Sequence, residues 1–116
     1  MEESTVRTII DKLAEWAAEK RTIGPQVWMD AASKLNVLLQ GEQEKHIDQK
    51  LAIAKLRAAY MADGDTAAKA KAKVEAMDEW AQMQKQGALI ERAMEAILLA
   101  KKNASLASDL MRHHLN

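Results

Sequence analysis

The chain has 116 residues, 48% of them hydrophobic and 29% charged, with 17 Lys and Arg balanced by 17 Asp and Glu. That size and mixture suit one folded domain, and zero net charge argues against strong non-specific binding to duplex DNA, which needs a surplus of cations to neutralise phosphates. The absence of Cys excludes disulfides, thiolate metal sites and a Cys nucleophile.

The acidic start, Met1-Glu2-Glu3-Ser4-Thr5, lacks the basic-then-apolar pattern of a secretory signal. No apolar run approaches the roughly 20 residues of a membrane span, so a soluble cytoplasmic protein without a membrane partner is expected. Ala dominates, Pro occurs once and Gly four times, a composition that favours helices able to approach closely. Phe is absent, so the core must come mainly from Leu, Ile, Met and Ala.

The first helix is predicted over about residues 3–21, with Val6, Ile9, Ile10, Leu13, Trp16 and Ala17 on one face and Ser4 or Thr5 as N-cap. Ile23-Gly24-Pro25 ends it, and Pro suits the first turn of a second helix over about 25–62. That helix carries a heptad stripe of Ala32, Leu35, Leu39, Glu42, His46, Gln49 and Ile53. A second stripe, Ile47, Leu51, Ala54, Ala58 and Met61, makes its distal half apolar on two faces. Asp63-Gly64-Asp65-Thr66 reads as a helix stop and restart, with Gly64 in the left-handed position and Asp65 or Thr66 capping the next helix.

A third helix is predicted over about 66–103, with a pattern that extends to 112. Its stripe of Ala76, Trp80, Met83, Gly87, Ile90, Met94 and Ile97 meets the first stripe position for position when the chain folds back at Gly64. Ala32 then faces Ile97, Leu35 faces Met94, Leu39 faces Ile90, Glu42 faces Gly87, His46 faces Met83, Gln49 faces Trp80 and Ile53 faces Ala76. The expected fold is all-α: a long antiparallel, coiled-coil-like hairpin plus an N-terminal amphipathic helix. Its surplus apolar faces predict an oligomeric helical bundle, a homo-oligomer covered by copies of itself or by exchange of the first helix.

Two places carry candidate chemistry. Glu42, His46 and Gln49 interrupt the apolar stripe opposite Gly87 and Trp80, with Gln84 and Gln86 near. They form either a polar pocket or a layer that fixes register. Near the hairpin tip, residues 49–75 hold Lys50, Lys55, Arg57, Lys69, Lys71 and Lys73 against Asp63, Asp65 and Glu75. Tyr60, Lys69, Lys73, Lys55 and Arg57 could receive a small anion such as a nucleotide, or RNA with Tyr60 stacking, where the plain alternative is a solvated face.

Metal binding and catalysis find little support. Helical di-iron sites need Glu-x-x-His, and the residue three before His46 is Gln43. Glu91 and Glu95 read as surface carboxylates, and adjacent His113 and His114 point to different sides of a helix. The serines at 4, 33, 105 and 108 have no Gly turn or partner His, and no Gly-rich phosphate loop exists. No cofactor and no enzyme activity are expected.

The run Gly64-Asp65-Thr66-Ala67-Ala68-Lys69-Ala70-Lys71-Ala72-Lys73-Val74-Glu75-Ala76, then Glu79-Trp80 with Met83, then Ile97-Leu98-Leu99-Ala100-Lys101, resembles small helical accessory proteins of tailed phages and prophages. The resemblance covers about the last two thirds, from Trp28 onward, and brings no functional motif to these positions. It implies an accessory protein that works on host machinery or phage DNA metabolism. Three roles are open to such a protein: sequestration of a host factor or an anionic nucleotide, with antagonism of host defence as one use; nucleic-acid binding in recombination or replication; and a structural part in virion assembly.

Overall fold

The structure, a computed structural model, describes residues 2–19 and 23–115. Among the described residues four helices occur in order: α1 (Glu2–Ala18), α2 (Pro25–Ala62), α3 (Ala67–Glu75) and α4 (Asp78–Leu115). No strand occurs among the described residues, and α2 packs against α4, so the fold is an all-α helical hairpin with an added N-terminal helix. The chain divides into two compact units, Met1–Gly41 with Leu89–Asn116, and Glu42–Ala88.

In the first unit three helices share one core. α1 contributes Val6, Ile9, Ile10 and Leu13, α2 contributes Trp28, Ala32, Leu35 and Leu39, and α4 contributes Leu89, Ile90, Ala93, Ala96, Ile97, Ala100 and Ala104. Leu39 and Ile90, paired by the heptad pattern, belong to this same cluster. The Ala positions of α4 bring helix backbones close, while Leu13, Leu35 and Leu89 are fully buried and stabilise the unit by roughly 1.5–3 kcal/mol each. Trp16 meets Trp28 edge-on, ring centroids 5.5 Å apart at 88°. α1 stops at Ala18, before the expected residue 21; residues 20 and 21 lie outside the described part. Ser4 and Thr5 fall inside α1, so neither is its N-cap.

The inward stripe of α4 differs from the predicted one at every second position. Met83, Gln86, Ile90, Ala93, Ile97, Ala100 and Ala104 are buried, whereas Met94 is 49% exposed and Ala76 is exposed. Both stripes share Met83, Ile90 and Ile97, but the intervening position is one residue earlier. Small Ala93 and Ala100 take it, which lets α1 pack beside α2 against the same helix.

The second unit holds the turn between α2 and α3. At its turn the Asp65 N–H donates to the Tyr60 carbonyl and the Gly64 N–H to the Met61 carbonyl, both at 3.1 Å, while Gly64 adopts φ +107°. This is the Schellman arrangement expected of Gly at that place. Thr66 caps α3, its side-chain oxygen accepting from the Lys69 N–H at 3.2 Å.

The predicted third helix is two helices. α3 ends at Glu75, and the Met77 carbonyl accepts from the N–H groups of Trp80 and Ala81 to start α4. Asp78 and Glu79 in the first turn favour a helix N-terminus there. The deeper reason is phase: Val74 and Met83 are nine residues apart, which places them about 180° apart on an uninterrupted helix. With the break, both pack with Ile53, joined by Leu56, Tyr60 and Trp80. Val74 thus takes the place beside Ile53 expected of Ala76.

Candidate functional site

Within the second unit α2 presents two heptad stripes on opposite sides. The inner one, Glu42, His46, Gln49, Ile53, Leu56 and Tyr60, is buried or partly buried. The outer one, Ile47, Leu51, Ala54, Ala58 and Met61, is exposed throughout, with Ile47 and Leu51 each at 56% and Met61 at 45%.

The polar layer forms the end of the inner stripe. Glu42 is 2% exposed and Gln86 is 4% exposed. The Gln86 side-chain amide donates both to the Glu42 backbone carbonyl, at 3.1 Å, and to the Glu42 carboxylate. No cation pairs with Glu42 among the described residues. His46 leans toward the N-terminus of α2, as helical side chains do, and lies against Gly87. A Cβ at Gly87 would stand 3.3 Å from His46 Cε1 and 3.4 Å from Nε2, so the missing side chain is what seats the imidazole.

His46 Nδ1 and Gln49 Oε1 are buried without a hydrogen-bond partner. Trp80 packs with the apolar cluster of Ile53, Val74 and Met83. Of Gln84 and Gln86, both expected near the layer, Gln84 is exposed and Gln86 makes the bonds. The 3-4 spacing from Met83 through Gln86 to Ile90 is the sequence signal that marks it. The Gln86–Glu42 bonds and the seat of His46 on Gly87 fit a register-fixing layer, in which His46 Nδ1 and Gln49 Oε1 stay unbonded.

At the tip, Lys73 is already engaged. Its ammonium lies 2.6 Å from Asp65 Oδ2 and 5.1 Å from the centre of the Tyr60 ring. The hydrogen bond to Asp65 raises the Lys73 pKa above its ordinary value of 10.5. The Tyr60 hydroxyl donates to Met77 Sδ at 3.9 Å. Nothing in the sequence signalled Asp65 as the partner of Lys73, since the pair is formed only by the turn.

Lys69 stands one turn before Lys73 on α3, and Arg57 one turn before Tyr60 on α2. Lys55 is about 140° around α2 from Tyr60. The five residues read together from the sequence therefore divide, with Tyr60 and Lys73 joined and Lys55 on another side.

No protein-family model matches the chain, and no curated protein or solved structure is significantly similar to it.

Among the described residues no three His, Asp or Glu side chains are grouped to hold a metal ion. The side chains of His113 and His114 lie outside the described part. No described helix is long and apolar enough to cross a membrane. One apolar feature that stays exposed is the outer stripe of α2. Lys50 and Arg57 flank it on one side, Lys55 and Asp48 on the other, and all four are exposed.

Proposed function

We propose that the protein is a non-catalytic accessory protein of the phage type, acting in the host cytoplasm by occupying a macromolecular partner. The supporting observation is the outer stripe of α2, which keeps heptad spacing over two turns of the repeat while its large side chains stand about half exposed. A merely solvated helix face has no need of that spacing, whereas exposed contiguous apolar surface marks interaction sites. A small anion at the tip is the weaker reading, because Lys73 and the Tyr60 face are used by each other and by Asp65. The same proposal includes self-association through the outer side chains of α4, namely Met94, Leu98, Leu106, Leu110 and Met111.

The test places a benzophenone side chain at position 51, or at exposed position 85 as control, in protein produced in a bacterial host. The expected result is one discrete photo-adduct specific to position 51, and a partner whose activity the purified protein titrates at one-to-one stoichiometry. Identical adduct patterns at both positions, or a partner consumed by far less than one equivalent, would overturn the proposal.

A further inference from the structure

We infer that the outer stripe of α2 docks an amphipathic helix of a partner protein that carries acidic residues beside its own apolar stripe. This rests on the binding role proposed above and names the chemistry of the partner. Ile47, Leu51, Ala54, Ala58 and Met61 succeed one another at steps of four and three, the spacing that another helix reads along its length. The span from Ile47 to Met61 is about 21 Å of helix, enough for two heptads of partner. Its middle is Ala54 and Ala58, so a partner helix can approach closely there between the larger Ile47, Leu51 and Met61.

Charge decides which helix fits. Lys50, Lys55 and Arg57 border the stripe against the single acid Asp48, and none of these three cations has an intramolecular ion pair among the described residues. Lys73, only a short distance along the chain, shows the contrast, because Asp65 already neutralises it. Unpaired cations on both flanks attract acidic side chains and repel basic ones.

Other occupants fit less well. A second copy laid antiparallel on the stripe would match Ile47 and Leu51 with Ala58 and Ala54 in volume and set Asp48 against the second copy's Lys55 twice. It would also set Lys50 against Arg57 twice, so its charge pairs cancel, whereas an acidic helix meets three cations against one acid. A membrane surface calls for bulky or aromatic side chains to insert, yet Tyr60 and Trp80 pack with the internal cluster and the stripe's middle is Ala. For RNA, the centre of the surface is apolar and offers no donor or stacking ring.

The probes are a designed amphipathic helix with Leu at its apolar positions and Glu beside them, the same peptide with Lys for Glu, phosphatidylserine vesicles and poly(U) RNA. Binding is followed by methyl NMR of the full chain. The Glu peptide is expected to shift the methyl signals of Ile47, Leu51, Ala54, Ala58 and Met61 while leaving Leu13 and Leu35 unmoved. Lys50→Glu with Arg57→Glu should weaken it roughly tenfold and favour the Lys peptide. Both substitutions lie at exposed positions, so the circular dichroism spectrum and melting should be unchanged.

Equal binding of the two peptides, no binding of either, or stronger shifts with vesicles or RNA would overturn the inference. A discrete photo-adduct at position 51 together with any of those results would overturn the acidic-helix inference alone. Loss of the adduct as well would remove the binding role with it.

Discussion

Replacing Gln86 by Leu should be far more damaging than its polarity suggests. Glu42 is almost wholly buried, and its carboxylate has the Gln86 amide as its side-chain donor. Gln86→Leu leaves that group in an apolar setting with nothing to bond, a defect worth about 3 kcal/mol. Glu42→Leu is milder, about 1 kcal/mol, because the Gln86 amide keeps its bond to the backbone carbonyl of residue 42. The double substitution removes both polar groups and should return stability to within about 1 kcal/mol of the parent, or exceed it.

The cycle is therefore strongly non-additive, and it would be read from urea unfolding followed by far-ultraviolet circular dichroism. With a slope of about 1–3 kcal/mol/M, a loss of about 3 kcal/mol moves the midpoint by roughly 1–3 M. Gln84→Leu, at an exposed position two residues before Gln86, serves as control and should stay within about 0.5 kcal/mol. If Gln86→Leu behaves like Gln84→Leu, the amide does not carry the carboxylate and the account of the layer is wrong.

Gly64→Ala should cost about 1–2 kcal/mol because a Cβ is strained at φ +107°, and a neutral result would show that the turn is not left-handed there. Thr66→Ala should cost about 1 kcal/mol and speed hydrogen exchange of the first α3 amides; unchanged exchange would exclude the cap. The Lys73 pKa is raised in the folded chain, so its contribution is fully present below the ordinary lysine value of 10.5 and is lost as pH rises through the folded value. Stability of the parent should consequently fall more steeply above pH 10.5 than that of Asp65→Asn, and parallel urea midpoints across that range would contradict the pairing. Leu13→Ala should cost about 2–5 kcal/mol and diminish the near-ultraviolet signal of the Trp16–Trp28 pair, which an unaltered spectrum would argue against.

Much of this fold is visible in the amino-acid order because helix stripes and turn chemistry are local properties. Pro25 and Gly64 mark ends with backbone constraints no other residue meets so well, and Ala32, Leu35 and Leu39 repeat at the interval a partner helix requires. The break at Ala76–Met77 has no Gly or Pro to announce it. It could have been found only from the opposed phases of Val74 and Met83, and only once both were known to reach Ile53. Ala93 in place of Met94 was hidden for a related reason: hydrophobicity favours the larger side chain, while the space between three helices favours the smaller. Of the candidate sites, the layer of Glu42, His46 and Gln49 stood out as polar residues in an apolar series. The Asp65–Lys73 pair did not, since the turn geometry that joins them exists only after folding.

The joint between α3 and α4 has a consequence for how the chain tolerates changes in length. One residue added or removed between Glu75 and Asp78 would change the link that brings Val74 and Met83 together on Ile53, and so disturb that packing. The periodicity of α4 from Met83 onward would be untouched, so its contribution to the core of α1 and the first half of α2 should survive. An insertion at this spot would thus probe the packing of Ile53, Val74 and Met83 apart from the core that α1 shares with α2 and α4.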